Sequence, residues 1–265
     1  MVTANPSGVN YSQGIAQFAA LFEPAGASNA AAQFLAQVAP AGSDVLDIGA
    51  GVGGTSFALA AAGYRVTALE PDAEMFAVLL SRLAVRHELH ELVTPVPRPA
   101  GFHLEKKFDA AACFSVVHLL QPDERVALAS YAARQVRPGG AVVLEIPVVS
   151  ASRAATAWHC VASRQLGDAV VEHHSSLQPA ADGWWYTHWK FRISLGGLAL
   201  HEVQRSFHWY PMPVADAARL IASAGLQVAA EFGACDRTPF VPCESRVRLV
   251  VAHATHGRHH QSEKR

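Results

Sequence analysis

The chain has 265 residues, 51% hydrophobic and 16% charged, with a formal net charge of -1. This predicts one folded domain with an elaboration and argues against a broad electrostatic surface for nucleic acid. The four cysteines show no C-x-x-C pair and no regular spacing, so neither a disulfide framework nor a zinc site is expected.

The N-terminal sequence and the histidines exclude further classes. The first ten residues lack a basic start and an apolar core, and no apolar run is long enough to span a bilayer. We therefore expect a cytoplasmic protein without a membrane partner. Among 14 histidines, the pair His173 and His174 lies in a predicted strand, where neighbours point to opposite faces. With no third ligand at a recognisable spacing, no metal is expected.

Strands alternate with helices up to residue 147. Helical spacing of apolar residues predicts helices at 11–22 and 28–39 ahead of the first strand. The strands that follow are nearly all apolar, which indicates a parallel sheet covered on both faces. The predicted elements are strand 44–48, helix 54–62, strand 64–69, helix 72–85, and strands 93–96, 108–115 and 141–146.

The pattern changes after Pro147. We predict a helix at 152–167, three antiparallel strands at 169–178, 184–195 and 198–210, a helix at 214–224, and strands at 226–232 and 246–253. In the second of the antiparallel strands, Trp185, Trp189, Phe191 and Ile193 share one face. That face is expected either to line a pocket or to form core.

A glycine-rich turn, VLDIGAGVGG at residues 45–54, follows the first strand. Glycines permit the sharp turn and the close approach of a ligand, and the next helix points free N–H groups at that ligand. The stretch fits the G-x-G-x-x-G of dinucleotide-binding dehydrogenases, beginning at Gly49. In that case Glu70 is the acid that binds the ribose. It equally fits a D-x-G-x-G-x-G from Asp47. A carboxylate at position 47 repels a pyrophosphate and attracts a cofactor that carries an ammonium and a sulfonium, which favours the second reading.

The segments VLDIGAGVGG and YRVTALEPDAEMFAVL resemble the first two motifs of class I S-adenosylmethionine (SAM)-dependent methyltransferases. The resemblance covers most of residues 40–147. It implies that the turn at 49–53 holds the methionyl part of SAM and that Glu70 binds the ribose hydroxyls. The family's adenine-binding acid has no obvious equivalent in PVPRPAGFHLEKKF. The Tyr11 region, His118 and the strand-rich segment 170–210 are similar to the small-molecule subgroup that N-methylates amino sugars of antibiotics.

The expected fold class is α/β: a Rossmann-like, seven-stranded, mostly parallel sheet with helices on both faces, an antiparallel last strand, and an antiparallel β insertion after strand 5. We divide the chain into an N-terminal helical cap (1–40), a SAM-binding core (41–150), a helix-plus-strand insertion that forms the lid or substrate region (151–212), the C-terminal completion of the core (213–255) and a flexible tail (256–265).

The candidate site lies where the carboxyl ends of the parallel strands meet, the usual position of a ligand on such a sheet. His118 is the expected base, because histidine suits proton transfer near neutral pH; a histidine that only packs in its loop is the alternative. Tyr11 is a second catalytic candidate from the resemblance. The alternative is an aromatic residue that only marks the start of the first helix. The expected cofactor-binding residues are Asp47, Gly49, Ala50, Gly51, Gly53, Glu70, Pro71 and Ser115.

The sequence thus predicts a SAM-dependent methyltransferase of a small natural product, with N-methylation of an amino sugar first. O-methylation, an NAD(P)-dependent oxidoreductase and a non-catalytic SAM-binding module remain alternatives. A monomer and a homodimer are both open.

Overall fold

The computed structural model describes residues 14–23, 26–148, 154–180, 184–210, 212–242, 244–245 and 247–254. Two β-sheets organise this part of the chain, one of seven strands and one of four. The strands of the first sheet are β1 (Asp44–Ile48), β2 (Arg65–Leu69), β3 (Val93–Val96), β4 (Phe108–Cys113), β5 (Val136–Pro147), β10 (Leu226–Phe232) and β11 (Val247–Ala254).

The seven-stranded sheet has the order β10-β11-β5-β4-β1-β2-β3. Strand β1 pairs in parallel with both β2 and β4, and β4 pairs in parallel with β5. Strand β11 lies antiparallel to β5 and to β10. The expected α/β class with an antiparallel last strand is confirmed. The chain reverses order beside β1, and a crevice at the carboxyl ends of the strands follows from that reversal.

Helices cover both faces of this sheet. They are α1 (Ala16–Leu21), α2 (Ala27–Leu35), α3 (Gly54–Ala61), α4 (Ala73–Ala84), α5 (Pro122–Gln135) and α6 (Val214–Ser223). Helices α5 and α6 share one apolar core with the strands, while α2, α3 and α4 share the core on the other face. None of the helices in the described residues is long and apolar enough to pass through a bilayer.

The second sheet is antiparallel and consists of β6 (Thr156–Leu166), β7 (Ala169–Pro179), β8 (Trp185–Leu195) and β9 (Leu198–Trp209), in that order. The helix expected at 152–167 is wrong, because β6 occupies 156–166 and pairs with β7 across a turn at Gly167. Trp158, Val161 and Ala162 have helical spacing, but Trp158 and Val161 are 41% and 51% exposed. No apolar helix face is therefore buried there.

Helix α1 lies between the two sheets. Ile15 and Phe18 pack against Phe191 of the four-stranded sheet, and the Phe18 and Phe191 rings stack with their centroids 4.8 Å apart. On its other side, Ala16 packs against Val52 of the glycine-rich turn. Phe191 is only 1% exposed, so at this position the aromatic face of β8 forms core.

Candidate active site

The glycine-rich turn joins β1 to α3 at the carboxyl edge of the sheet. Gly49, Gly51 and Gly53 have φ angles of 78°, 55° and 89°, values that side chains disfavour. A Cβ on Gly53 would come within 2.6 Å of the Phe57 ring, whereas one on Gly51 would meet no atom within 4 Å. The N–H groups of Gly49 and Ala50 both donate to the Leu69 carbonyl, at 2.9 Å. The turn is thus held close to the end of β2, with open space over Gly51.

Asp47 is the last acidic residue before this turn. Its side chain is buried, with 2% exposure, and accepts a hydrogen bond of 2.6 Å from the Ser56 hydroxyl on α3. Burial raises the pKa of Asp47 to about 6, although the Ser56 hydrogen bond lowers it in part. The carboxylate therefore supplies negative charge from inside the fold, immediately behind the turn.

Glu70 connects the end of β2 to the turn. One carboxylate oxygen accepts a hydrogen bond from the Gly51 N–H at 2.7 Å, and the other accepts one from the Asp72 N–H at 2.8 Å. Glu70 is 6% exposed. Burial raises its pKa to about 7, the two backbone donors oppose the rise, and the nearby charges of Asp72 and Asp47 add to it. Pro71 follows Glu70 and is exposed.

Ser115 and Glu145 meet at the ends of β4 and β5. The N–H and the hydroxyl of Ser115 both donate to one Glu145 carboxylate oxygen, at 2.9 and 3.2 Å. Ser115 has a φ of 55°, a strained value for a residue with a side chain. Burial raises the pKa of Glu145. A carboxylate held by a strained residue thus lies at the crevice edge of these strands.

His118 lies in a short 3-10 helix, residues 117–119, that follows β4. Its ring centroid is 6.3 Å from that of Trp209 at the end of β9, and its carbonyl accepts a hydrogen bond of 3.0 Å from the Tyr210 N–H. The second sheet therefore ends beside the residue expected to act as the base. Tyr11 lies outside the described residues.

Sequence reasoning missed Arg125. This residue of α5 is 3% exposed, and its guanidinium donates to the Leu120 carbonyl at 2.9 Å and to the Tyr210 carbonyl at 2.7 Å. It therefore joins the His118 loop to the end of β9. The segment from Gln121 to Glu124 forms a capping box with Pro122 at the first helical position. That signal would have located α5 and placed Arg125 in its first turn.

Residues 45–140 match the model of a family described as a methyltransferase domain. No curated protein matches the chain significantly. Solved structures are similar over most of its length. The methyltransferase CcbJ from Streptomyces caelestis is 24% identical, with 86% of this chain and 90% of that chain covered and a TM-score of 0.72.

Two sugar-modifying enzymes have the same fold. An amino pentose methyltransferase from Micromonospora echinaspora, involved in calicheamicin biosynthesis and solved with SAM bound, is 20% identical, covers 90% of this chain and 97% of its own, and has a TM-score of 0.69. A sugar N-methyltransferase from a Streptoalloteichus species is 13% identical, with 97% of this chain and 98% of that chain covered and a TM-score of 0.73. The match to a methyltransferase domain favours the D-x-G-x-G-x-G interpretation of the glycine-rich turn over the dinucleotide G-x-G-x-x-G, and it therefore argues against an oxidoreductase. The chain carries a match to a methyltransferase domain at residues 45–140 and shares its fold with methyltransferases, one of them solved with SAM bound.

Proposed function

We propose that this enzyme transfers the SAM methyl group to the amino nitrogen of a sugar. Two of the similar structures are an amino pentose methyltransferase and a sugar N-methyltransferase, which supports this acceptor class. The observation in this chain that carries the proposal is the half-buried Glu145 carboxylate at the crevice, which accepts a hydrogen bond from Ser115. A carboxylate attracts an acceptor that arrives as an ammonium and gives no such advantage to a neutral hydroxyl.

The cofactor site in this proposal is the turn at 49–53 together with Glu70. Gly51 leaves open space for the methionyl part, with the half-buried Ala50 beside it. Glu70 has two carboxylate oxygens at the strand end to accept the ribose hydroxyls. Asp47 adds negative charge behind the turn, which favours a sulfonium. Pro71 and Ser115 flank the cofactor on the β2 and β4 sides.

His118 is the proposed base. The acceptor ammonium gives one proton to the His118 imidazole, and the freed nitrogen lone pair then attacks the methyl carbon. The carbon–sulfur bond breaks as the carbon–nitrogen bond forms, and S-adenosylhomocysteine leaves with the electron pair on sulfur. Positioning the three reacting atoms in line lowers the barrier by up to about 7–11 kcal/mol in the best intramolecular cases. Tyr11 remains a predicted catalytic residue by resemblance.

The acceptor class is tested by incubating the enzyme with SAM and matched pairs of sugars that carry either an amino or a hydroxyl group at one position. Mass spectrometry reads the gain of one methyl group. We expect the amino member of a pair to be methylated and the hydroxyl member to stay unchanged. Methylation of the hydroxyl sugars or of phenols alone would assign the enzyme to O-methylation.

Replacement of His118 by alanine tests the base. We expect His118→Ala to lower kcat by about 100-fold or more, the usual contribution of a positioned acid or base. SAM affinity should change by less than about threefold, because the turn at 49–53 and Glu70, which make the main proposed cofactor contacts, lie on other loops. The control is His103→Ala, since His103 is exposed in the segment before β4. A His118→Ala variant with the parent's turnover would remove His118 from the mechanism.

A further inference from the structure

The two faces of the four-stranded sheet differ in their surroundings. Val171, Phe191 and Val203 lie on the face that packs against α1. Side chains alternate along a strand, so His173 joins this inner face and stacks on Phe191 at 4.5 Å, while His174 lies on the opposite, outer face. The adjacent histidines are thus separated, as expected from the sequence, and His174 is available to other partners.

The register of β6 and β7 brings two further ligand types to His174. Cys160 is its direct cross-strand partner, and Glu172 lies two residues earlier on the same face. The Cys160 sulfur, a Glu172 carboxylate oxygen and a His174 ring nitrogen all lie within 4.8 Å of one another. This is the single such group of three among the residues that the structure describes. Cys160 is exposed, and the other two side chains are 23–29% exposed.

We propose that Cys160, Glu172 and His174 bind a zinc ion on the outer face of this sheet. Zinc accepts sulfur, nitrogen and oxygen donors together, and a site with three protein ligands leaves the fourth position to water. Zinc–ligand bonds of about 2.0–2.3 Å place tetrahedral ligand atoms about 3.3–3.8 Å apart. His174 Nε2 and Glu172 Oε2 are already 3.7 Å apart, so Cys160 needs to approach by only about 1 Å.

The site stabilises the edge of the sheet. Strand β6 pairs only with β7 within the described residues, and ten of its eleven side chains are exposed. Zinc joins Cys160 of β6 to two residues of β7, and the Cys160 thiol loses its proton as the zinc–sulfur bond forms. The role is structural and independent of the methyl transfer proposed above.

Two positively charged side chains on β8 repel a bound zinc ion. Lys190 is the cross-strand neighbour of His174, and Arg192 is that of Glu172. Each has another partner: the Lys190 ammonium lies 5.0 Å from the Trp158 ring centroid, and Arg192 Nε lies 3.7 Å from a Glu202 oxygen. Their positive charges lower zinc affinity without occupying the ligand atoms. Removing the charge of Lys190 is therefore expected to tighten the site.

The test adds Co²⁺ to the metal-free full chain and follows the near-ultraviolet absorption of a cobalt–thiolate bond, with Zn²⁺ as the competitor. We expect one thiolate-containing site per chain that zinc displaces. The band should disappear in Cys160→Ser, and His174→Gln should weaken metal binding at least tenfold. Cys235→Ser and His159→Gln, which change a cysteine and a histidine outside the group, should keep the band.

The C-terminal histidines require one more variant. His259 and His260 form a second adjacent pair in the sequence, and replacing both by glutamine excludes them as the source of any cobalt binding; we expect this variant to keep the thiolate band. Lys190→Gln should tighten zinc severalfold, and zinc should raise the melting temperature of the parent but not of Cys160→Ser. The proposal is overturned if cobalt gives no thiolate band, or if the band persists in Cys160→Ser, whether or not the protein methylates sugars.

Discussion

Glu70 is a buried carboxylate whose protonation competes with its role in ribose binding. Burial raises its pKa from the ordinary 4.5 to about 7. A raised pKa means that the fold favours the protonated form, so this contribution to stability is complete at acidic pH and is lost as the pH rises through about 7. Ribose hydroxyls donate to the carboxylate, and cofactor binding therefore favours the deprotonated form.

We predict that SAM affinity increases as the pH rises through about 7 and that binding releases protons in this range. Over the same interval the unliganded protein loses stability. Calorimetric titration in two buffers of different ionisation enthalpy measures the protons released. In Glu70→Gln the component centred near 7 should disappear. An affinity for S-adenosylhomocysteine and SAM that is flat across this range in the parent would contradict the assignment of Glu70 to the ribose.

At the scale of elements, Arg82 of α4 connects the N-terminal segment to the cofactor turn. Its guanidinium donates to the Val52 carbonyl at 2.8 Å and to the Glu23 carboxylate at 2.9 Å. The Ser28 hydroxyl donates to the other Glu23 oxygen at 2.6 Å. That carboxylate lies against Gly54, where any Cβ would overlap it. One arginine thus holds the turn and the segment before α2 in a fixed relation.

We predict that Arg82→Met weakens SAM binding by about tenfold, since hydrogen bonds to charged groups are each worth about 1.5–3 kcal/mol and part of that energy holds Val52 in place. Proteolysis near Glu23 should become faster, because the segment loses its ionic contact. Arg86→Met is the matched control, because both guanidinium carbons lie over the Phe57 ring, that of Arg82 at 5.4 Å and that of Arg86 at 5.0 Å from the ring centroid. If Arg82→Met and Arg86→Met lost SAM affinity equally, the loss would come from contact with the Phe57 ring and not from the hydrogen bonds of Arg82.

The sequence predicts the elements of the parallel sheet well, because their signals are local. Strand β1 coincides with its expected range, 44–48, since an apolar run ends at a glycine turn whose geometry few other sequences satisfy. The same locality explains why Glu70 could be placed at a strand end, where the structure has it bonded to Gly51.

The parts that were wrong or missed depend on contacts between elements, which the spacing of residues within one segment does not show. Strand β6 is fixed by its ladder with β7 and not by burial of its own face, so the helical spacing of Trp158 and Val161 was misleading. Arg125 was missed because arginine is rarely buried, and its two carbonyl partners include one 85 residues away. The position of His118 beside Trp209 likewise requires the second sheet.

At the scale of the whole molecule, the two sheets are connected at the candidate base. Helix α5 covers the seven-stranded sheet, and Tyr210 follows the last strand of the four-stranded sheet. Arg125 of α5 lies between them, with its guanidinium carbon 4.8 Å from the Tyr210 ring centroid. Burial lowers the pKa of Arg125 to about 10, so the group stays charged at neutral pH and its donors remain available to the two carbonyls.

We predict that Arg125→Met, which keeps the apolar stem, lowers the free energy of unfolding by about 2–4 kcal/mol, because two partly buried carbonyls lose a charged donor. Below the unfolding transition, kcat should fall more than tenfold, since the His118 loop loses its support and a displacement of about 1 Å is enough for such a loss. The KM for SAM should change little, because Arg125 touches neither Glu70 nor the turn at 49–53.

Urea unfolding and steady-state kinetics on the same preparation separate these effects. Arg134→Met is the control, since Arg134 lies on the same helix with an exposed side chain, and we expect it to keep both stability and kcat. A destabilised Arg125→Met enzyme with parental kcat at low temperature would show that the link between the sheets stabilises the fold without positioning His118. A parallel loss of kcat and SAM affinity would instead show that the disturbance reaches the cofactor turn.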